Sequence, residues 1–327
     1  MTSGCDYSLI IPARNEGAAL EATIASLRRL IDRDHAEIVV VDDASAESVA
    51  ARVGEHAAIV HHRCAVRQGV AKARNLGALR ARGDVLIFLD AHVCFSAQSL
   101  AILRNSARSA TSGIRGCTVR IVYDEPTFAE LARRHADFDP VQEPDYYGWR
   151  FEFQPQPHVV VNRICRNADA FAVPFVGACA LAIRRELFQD LGGFDGGLTG
   201  YGSFEDAELA LRCWSLGHDV QVVPQAICCH YTAPRPVDAP PESAGRLPLD
   251  LPRYDGSLKN ALRVMSMHFP ERWFAGFTQE LQRAFPDRIE WTTKDQFSAE
   301  TWNRCKTLEA RRVRNREWLM ERMTRIG

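Results

Sequence analysis

Between Gly83-Asp84 and Asp90 the chain reads Val85-Leu86-Ile87-Phe88-Leu89, with no polar side chain in the run. A run this short and this apolar fits a strand buried on both faces, the condition of a parallel sheet covered by helices on either side. Earlier segments repeat the pattern. Tyr7–Ile11 is β-prone and stops at Pro12, Glu37–Val41 stops at Asp42-Asp43, and Ala57–His61 forms a third strand. Between them Leu20, Ile24, Leu27 and Ile31 recur at helical spacing, a helix is expected over roughly Ser45–Gly54, and Gly69–Arg80 is rich in Ala, Leu and Arg. Strands separated by helices of this length predict an α/β fold with a mostly parallel central sheet and right-handed crossovers.

Beyond residue 122 the pattern loosens. Tyr123–Pro157 is rich in proline and acidic residues and carries an aromatic cluster, Tyr146, Tyr147, Trp149 and Phe151. The rings either stack on a ligand or pack the insertion onto the sheet, packing being the commoner use. Gly177–Ile183 and Asp219–Val223 read as strands and Glu205–Leu216 as a helix. Thr232–Pro252 holds six prolines and is expected to form a mobile loop. Leu258, Ala261, Leu262 and Met265 then restore a helical stripe, and the tail from Thr301 holds eight basic and three acidic residues. That tail is expected to be a solvated helix, contact with an anionic acceptor or membrane surface being the other reading. The expected organisation is a first part over 1–231, with halves of about 1–122 and 123–231, and an extension over 232–327.

Composition narrows the setting. A net charge of -1 over 327 residues gives no global attraction to nucleic acid. No apolar run approaches the ~18–20 residues needed to span a bilayer, and Met1–Asp6 lacks the basic and apolar regions of a secretory signal. Ten cysteines without a Cys-x-x-Cys pair suit reduced thiols. The expected location is cytoplasmic, with no nucleic-acid partner and no membrane span. Oligomeric state is left open.

Polar motifs stand at successive strand exits: Ile11-Pro12-Ala13-Arg14-Asn15-Glu16, Asp42-Asp43, Gly69-Val70-Ala71-Lys72-Ala73-Arg74-Asn75 and Asp90-Ala91-His92. Each alone has a bland explanation, since proline and acidic residues stop strands and basic residues on helices face water. Together they agree chemically. Residues i and i+2 of an extended chain share a side, so Asp90 and His92 can converge on one metal ion where ligands of open α/β sheets bind. A metal there suits the diphosphate of a nucleotide-sugar. Asp43 can accept the ring N–H of uracil, and Lys72 and Arg74 offer cationic donors to a diphosphate. A divalent cation would neutralise a departing nucleoside diphosphate, and an imidazole ligand favours Mn²⁺ over Mg²⁺, which stays possible.

These motifs, with Val176-Gly177-Ala178-Cys179-Ala180, Gly192-Gly193-Phe194-Asp195, Phe204-Glu205-Asp206-Ala207-Glu208-Leu209 and Arg212-Cys213-Trp214, carry a resemblance. From about Ser8 to His230 the sequence resembles the GT-A glycosyltransferases of family 2. It is also similar to the polypeptide N-acetylgalactosaminyltransferases, which share the Asp-x-His form of the metal motif. The resemblance implies a GT-A (Rossmann-like nucleotide-diphospho-sugar transferase) fold with a C-terminal helical extension. It implies that Pro12, Ala13, Arg14 and Glu16 line the nucleoside pocket and that Asp43 holds uracil with Asp42 beside it. Lys72, Arg74, Asp90 and Ala91 would complete the donor contacts, and His230 would join Asp90 and His92 as the third metal ligand.

The resemblance also implies that Asp206 is the base taking the acceptor proton, with Glu205 beside it; a second reading has the pair hydrogen-bonding substrate hydroxyls. Tyr201-Gly202-Ser203-Phe204-Glu205-Asp206 stands where the N-acetylgalactosaminyltransferases place a Trp-Gly-Gly-Glu-Asn run, one residue shorter, which leaves the register of the acidic pair open. The implied activity moves a sugar from UDP-GlcNAc, UDP-GalNAc or UDP-Glc to a nucleophile of a small-molecule, peptide or glycan acceptor. Inversion, the family 2 outcome, is the favoured reading. The alternatives are retention, as in the N-acetylgalactosaminyltransferases, and a non-catalytic nucleotide-sugar-binding protein. A dinucleotide oxidoreductase is disfavoured because no Gly-x-Gly-x-x-Gly follows the first strand.

Overall fold

The computed structural model describes residues 4–32, 35–110, 112–134, 147–152, 158–161, 169–199, 204–232, 246–247, 255–284 and 298–326. The chain begins with β1 (Tyr7–Ala13), α1 (Gly17–Leu30), β2 (Ala36–Asp42), α2 (Val49–Val53), β3 (Ile59–Arg63), α3 (Val70–Arg80) and β4 (Val85–Leu89). Next come β5 (Val93–Phe95), α4 (Ala97–Ser109), β6 (Ile114–Val122), α5 (Glu125–Arg134), β7 (Trp149–Glu152) and β8 (His158–Val161). Then follow β9 (Phe171–Ala172), β10 (Ala180–Arg184), α6 (Arg185–Asp190), α7 (Glu205–Ser215), β11 (Val220–Tyr231) and β12 (Arg246–Leu247). The last helices are α8 (Asp255–His268), α9 (Glu271–Ala284), α10 (Ala299–Arg311) and α11 (Arg316–Arg325).

A nine-stranded sheet has the order β3-β2-β1-β4-β10-β6-β11-β5, with β9 also on β11; β12, β8 and β7 form a separate small sheet. The strands β3, β2, β1, β4, β6 and β11 point one way, while β10, β5 and β9 run against them. The apolar runs of the first half are buried on both faces, as their composition requires. Ile10, Val39, Val41, Leu86 and Phe88 pack towards α3, α6, α7 and α8. Leu9, Ile11, Ile38, Val40, Ile87 and Leu89 pack towards α1 and α4. Phe88 sits within 4.9 Å of the rings of both Phe188 and Phe194; burying such a ring contributes about 2–3 kcal/mol.

One register detail opens the site. β1 pairs with β2 as far as Ala13↔Asp42 but with β4 only as far as Ile10↔Phe88. Past Ile10 the two strands part, at the point where the sheet order reverses, and a crevice lies between their carboxyl ends. β1 therefore continues through Pro12 rather than stopping there. It is an edge on the β4 side at that level, where a residue without an N–H is tolerated.

Other expectations shift. α2 is shorter than Ser45–Gly54, because the Asp42 carboxylate accepts the Ser45 and Val49 N–H groups and holds the intervening residues in a turn. The third strand starts at Ile59, two residues after the expected Ala57. β11 runs for 12 residues, well past Val223, because a bulge between Val223 and Ile227 carries the ladder across Pro224. α5 occupies part of Tyr123–Pro157, and Trp149 stacks on Phe175 at 6.1 Å, so that ring packs. Tyr146, and Thr232–Pro252 apart from Thr232 and Arg246–Leu247, lie outside the described residues.

The basic tail is docked rather than solvated. Arg314 donates to the carbonyls of His218 and Gly217 at 2.8 and 3.0 Å. Arg312 donates to Met267 at 2.9 Å, and Arg316 to Ser266 and Phe269 at 3.0 and 3.1 Å. Arg311 pairs with Asp190 at 2.8 Å. Helix C-termini leave carbonyls without intrahelical partners, and these arginines satisfy those at the ends of α7 and α8. Among the described residues no helix is long and apolar enough to cross a membrane.

Candidate functional site

β4 ends at Leu89 and delivers Asp90 to the crevice mouth; β5 starts three residues after Asp90 and pairs antiparallel with β11. The register His230↔Val93, with the Tyr231 N–H bonded to the His92 carbonyl at 3.0 Å, lays His230 beside His92. Their rings are 4.9 Å apart, and His230 Nε2 lies 3.2 Å from Asp90 Oδ2. One ligand atom from each of Asp90, His92 and His230 falls within 4.8 Å of the others. Nitrogen and oxygen ligands bind first-row divalent metals at about 2.0–2.2 Å, so a shared ion needs ligand separations of about 4.4 Å or less. The bound of 4.8 Å lies close to that requirement. One carboxylate with two imidazoles fits Mn²⁺ or a later transition metal better than Mg²⁺.

A second layer orients these groups. Glu16, at the entry to α1, accepts a hydrogen bond from His92 Nδ1 at 2.9 Å. The proton then sits on Nδ1 and Nε2 is left free to bind metal. His230 Nδ1 lies 3.1 Å from Thr232 Oγ1, which orients that ring. Burial tends to discharge His92, but the Glu16 hydrogen bond and the Asp90 and Glu16 charges hold its pKa above the usual value. Burial opposes ionisation of Asp90 as well, yet the His230 hydrogen bond and Arg74 hold its carboxyl well below the ordinary range.

Arg74, 2% exposed, lies beneath the crevice. Its Nη2 donates to Asp90 Oδ1 at 2.6 Å and to the Ala178 carbonyl at 3.3 Å, and its Nη1 pairs with Glu205. The guanidinium thus joins a metal-facing carboxylate to the acidic pair at the start of α7, rather than standing open to a nucleotide. Asp206, next to buried Glu205, is only partly buried. Its carboxylate accepts the Ala207 and Ala178 N–H groups at 2.8 and 3.3 Å. Burial and the Glu205 charge nevertheless raise its pKa to about 7.

The remaining expected residues fall around the rim. Asp43 accepts the Gln68 and Gly69 N–H groups at 2.5 and 2.9 Å, tying the second strand exit to the start of α3. Arg14 donates to the Asp43 and Ala44 carbonyls at 2.8 and 3.0 Å, and Ala13 O accepts the Asp43 N–H at 2.8 Å. Asp42 is committed to its turn and to Arg63, 2.6 Å away. Lys72 is on the exposed face of α3, and Ala91 is buried between the two metal-facing residues. Among the described residues three without a glycine's freedom adopt positive φ: Asn15 at 56°, Ala44 at 55° and Phe204 at 58°. Such backbone costs about 1–2 kcal/mol per residue, and each stands in a motif of the site, where strain gathers in functional turns. The partnerships of Glu16 with His92 and of Arg74 with Glu205 have no sequence signal, since 76 and 131 residues separate them.

Comparison with known proteins identifies the family and the fold. The model of glycosyl transferase family 2 matches residues 8–192, and that of the N-terminal domain of galactosyltransferase matches residues 168–234. Polypeptide N-acetylgalactosaminyltransferase 8 of Drosophila melanogaster is 30% identical over 224 residues, 66% of this chain and 36% of the relative. Polypeptide N-acetylgalactosaminyltransferase 5 of Caenorhabditis elegans is 30% identical over 234 residues, 68% of this chain and 36% of the relative. The chain thus spans little more than a third of the length of these relatives. A crystal structure of GalNAc-T7 with UDP, GalNAc and Mn²⁺ superposes with a TM-score of 0.71 at 20% identity, covering 98% of this chain and 57% of that one, and its fold is GT-A. With the family model covering more than half of its length, this chain belongs to glycosyl transferase family 2.

Proposed function

We propose that the protein is a metal-dependent glycosyltransferase that moves a sugar from a UDP-sugar to a hydroxyl or other nucleophile of a small-molecule, peptide or glycan acceptor. The observation that carries this reading is the convergence of Asp90, His92 and His230 at the crevice, with Arg74 linking Asp90 to Glu205 and the Ala178 and Ala207 N–H groups holding Asp206 next to it. UDP-GalNAc, UDP-GlcNAc and UDP-Glc are the proposed donors, and the names of the relatives put UDP-GalNAc first.

Asp90, His92 and His230 would hold the cation, Mn²⁺ in preference to Mg²⁺. When bound, the cation supplies Lewis-acid neutralisation of the diphosphate charge that grows as the glycosidic bond breaks. Glu16 and Thr232 keep Nε2 of each imidazole turned to it. Pro12, Ala13, Arg14 and Asp43 would form the nucleoside wall, with Arg14 bracing the Asp43 backbone and the Asp43 carboxylate accepting the uracil N–H. Lys72 and Ala91 complete the donor side, and Asp42 supports it from within its turn. Asp206 would take the acceptor proton as the nucleophile attacks from the face opposite the leaving diphosphate, giving inversion. A carboxylate whose pKa lies near neutrality is matched to that task.

The division into a catalytic part over 1–231 and an extension over 232–327 belongs to the same proposal. A cytoplasmic, reducing setting is supported by nine free cysteines among the described residues. A screen for UDP release from nucleotide-sugars with Mn²⁺ tests the reading. Metal-dependent release from at least one donor, lost in Asp90→Ala, is expected; no release from any donor would overturn it.

A further inference from the structure

The loop between α6 and α7 is gripped from two sides by the same pair of side-chain types. From α3, Asn75 donates to the Phe194 carbonyl at 2.9 Å and accepts the Phe194 N–H at 2.8 Å. The Lys72 stem crosses Gly196, where a Cβ would stand 3.2 Å from its Cγ. From α8, Asn260 donates to the Thr199 carbonyl at 2.7 Å and accepts the Thr199 N–H at 3.4 Å. Arg263 forks onto fully buried Asp195 at 2.7 and 2.8 Å, and a Cβ on Gly197 would stand 2.5 Å from its Cζ. Arg263 also bonds Thr301 of α10. The glycines let both cations lie on the backbone itself, an approach that side chains there would block.

This loop leads to the acidic pair. The ring of Phe194, whose backbone Asn75 holds, carries the Arg74 guanidinium at 5.6 Å, and Arg74 in turn holds Glu205 and Asp90. We propose that Asn260 and Arg263, in the C-terminal extension, are positioning residues that set the start of α7, and with it Asp206, for the transfer reaction. The proposal rests on the glycosyltransferase reading. Neither residue touches the three metal-facing side chains, which come from the turn between β4 and β5 and from β11. Loosening the clamp should therefore slow the chemical step without weakening metal or nucleotide binding.

The test compares the full-length chain with Arg263→Lys, which keeps the charge but loses the fork, and with Asn260→Ala, which removes two hydrogen bonds. In the folded variants kcat should fall on the order of 10- to 100-fold, the scale of a small misplacement of a reacting group. Calorimetric affinity for Mn²⁺ and UDP should stay at the wild-type value. Amide exchange at Ala178 and Ala207, whose N–H groups hold Asp206, should quicken, while β1 and β4 keep their protection. Wild-type kcat and exchange in both variants would overturn the proposal. So would activity losses that track the unfolded fraction, which would make the clamp merely structural. If wild-type protein releases UDP from no donor, the glycosyltransferase reading fails, while exchange at Ala178 and Ala207 still decides whether the clamp sets α7.

Discussion

Glu16 and His92, 76 residues apart in sequence, are joined by a 2.9 Å hydrogen bond from His92 Nδ1 to Glu16 Oε2. The contact ties the first strand exit to the metal-facing cluster and fixes which ring nitrogen can bind metal. Outer partners of this kind change metal affinity about 10–100-fold when removed. Glu16→Ala should weaken Mn²⁺ binding by that factor while leaving thermal stability close to wild type, as titration calorimetry and a melt would read. Equal affinity in the two proteins would remove Glu16 from the metal centre.

The same pair gives metal binding a pH dependence. The Glu16 hydrogen bond and the Asp90 and Glu16 charges outweigh burial and raise the His92 pKa, so the ring holds a proton to higher pH than a free histidine. Binding a cation must expel that proton. Mn²⁺ affinity should therefore fall as pH drops from about 8 to about 6. In Glu16→Gln the fall should begin at lower pH, because the neutral amide stabilises the imidazolium less. A titration series across pH with both proteins checks the direction.

Asp206 contributes a dependence of the same sign. Its pKa, raised by burial and Glu205 from 3.8 to about 7, means that a base at this position is charged only above that range. kcat/KM should rise with pH through about 7 and level off above it. Asp206→Asn should lower transfer by about 10²–10⁴-fold with UDP affinity unchanged. Between 3.8 and about 7 the folded chain keeps a proton that the unfolded chain releases, so this group favours the fold less as pH rises. Asp206→Asn should accordingly melt higher than wild type at alkaline pH. A lower melt there would place the Asp206 charge in a stabilising role.

Arg74 is bonded to both Asp90 and Glu205. Removing one member of a buried ion pair costs about 3–5 kcal/mol, because the partner charge is left uncompensated. Arg74→Met should lower unfolding stability by that order in urea titration. Adding Glu205→Gln to Arg74→Met should restore part of the loss. Failure of the second substitution to recover stability would put the charge balance elsewhere.

How much of this was legible in the sequence follows from where each residue's partners lie. Val85–Leu89 and Glu37–Val41 could be read as strands because both faces of each are buried, and burial on both faces leaves a run without polar residues. Asp90 and His92 could be paired because they stand two residues apart, although a turn and not extended chain brings them together. β6, with Arg115, Thr118 and Arg120 among its apolar residues, shows neither alternation nor a continuous run and was not foreseen. Nor was the antiparallel placement of β10 between β4 and β6, since direction is set by the connections and not by the strand's own residues. Pro224 hid the length of β11, whose bulge delivers His230. Arg74 looked like a helix-surface cation; only the fold shows Glu205, 131 residues away, as its partner.

The central claim is that Asp90, His92 and His230 share one cation. Crystals grown with Mn²⁺ and UDP, with diffraction collected on both sides of the manganese absorption edge, test it most directly. An anomalous peak bonded to an Asp90 carboxylate oxygen and to Nε2 of His92 and His230, touching the UDP diphosphate, is the expected result. A peak away from these three side chains, or UDP bound with full occupancy and no anomalous signal beside it, would contradict it.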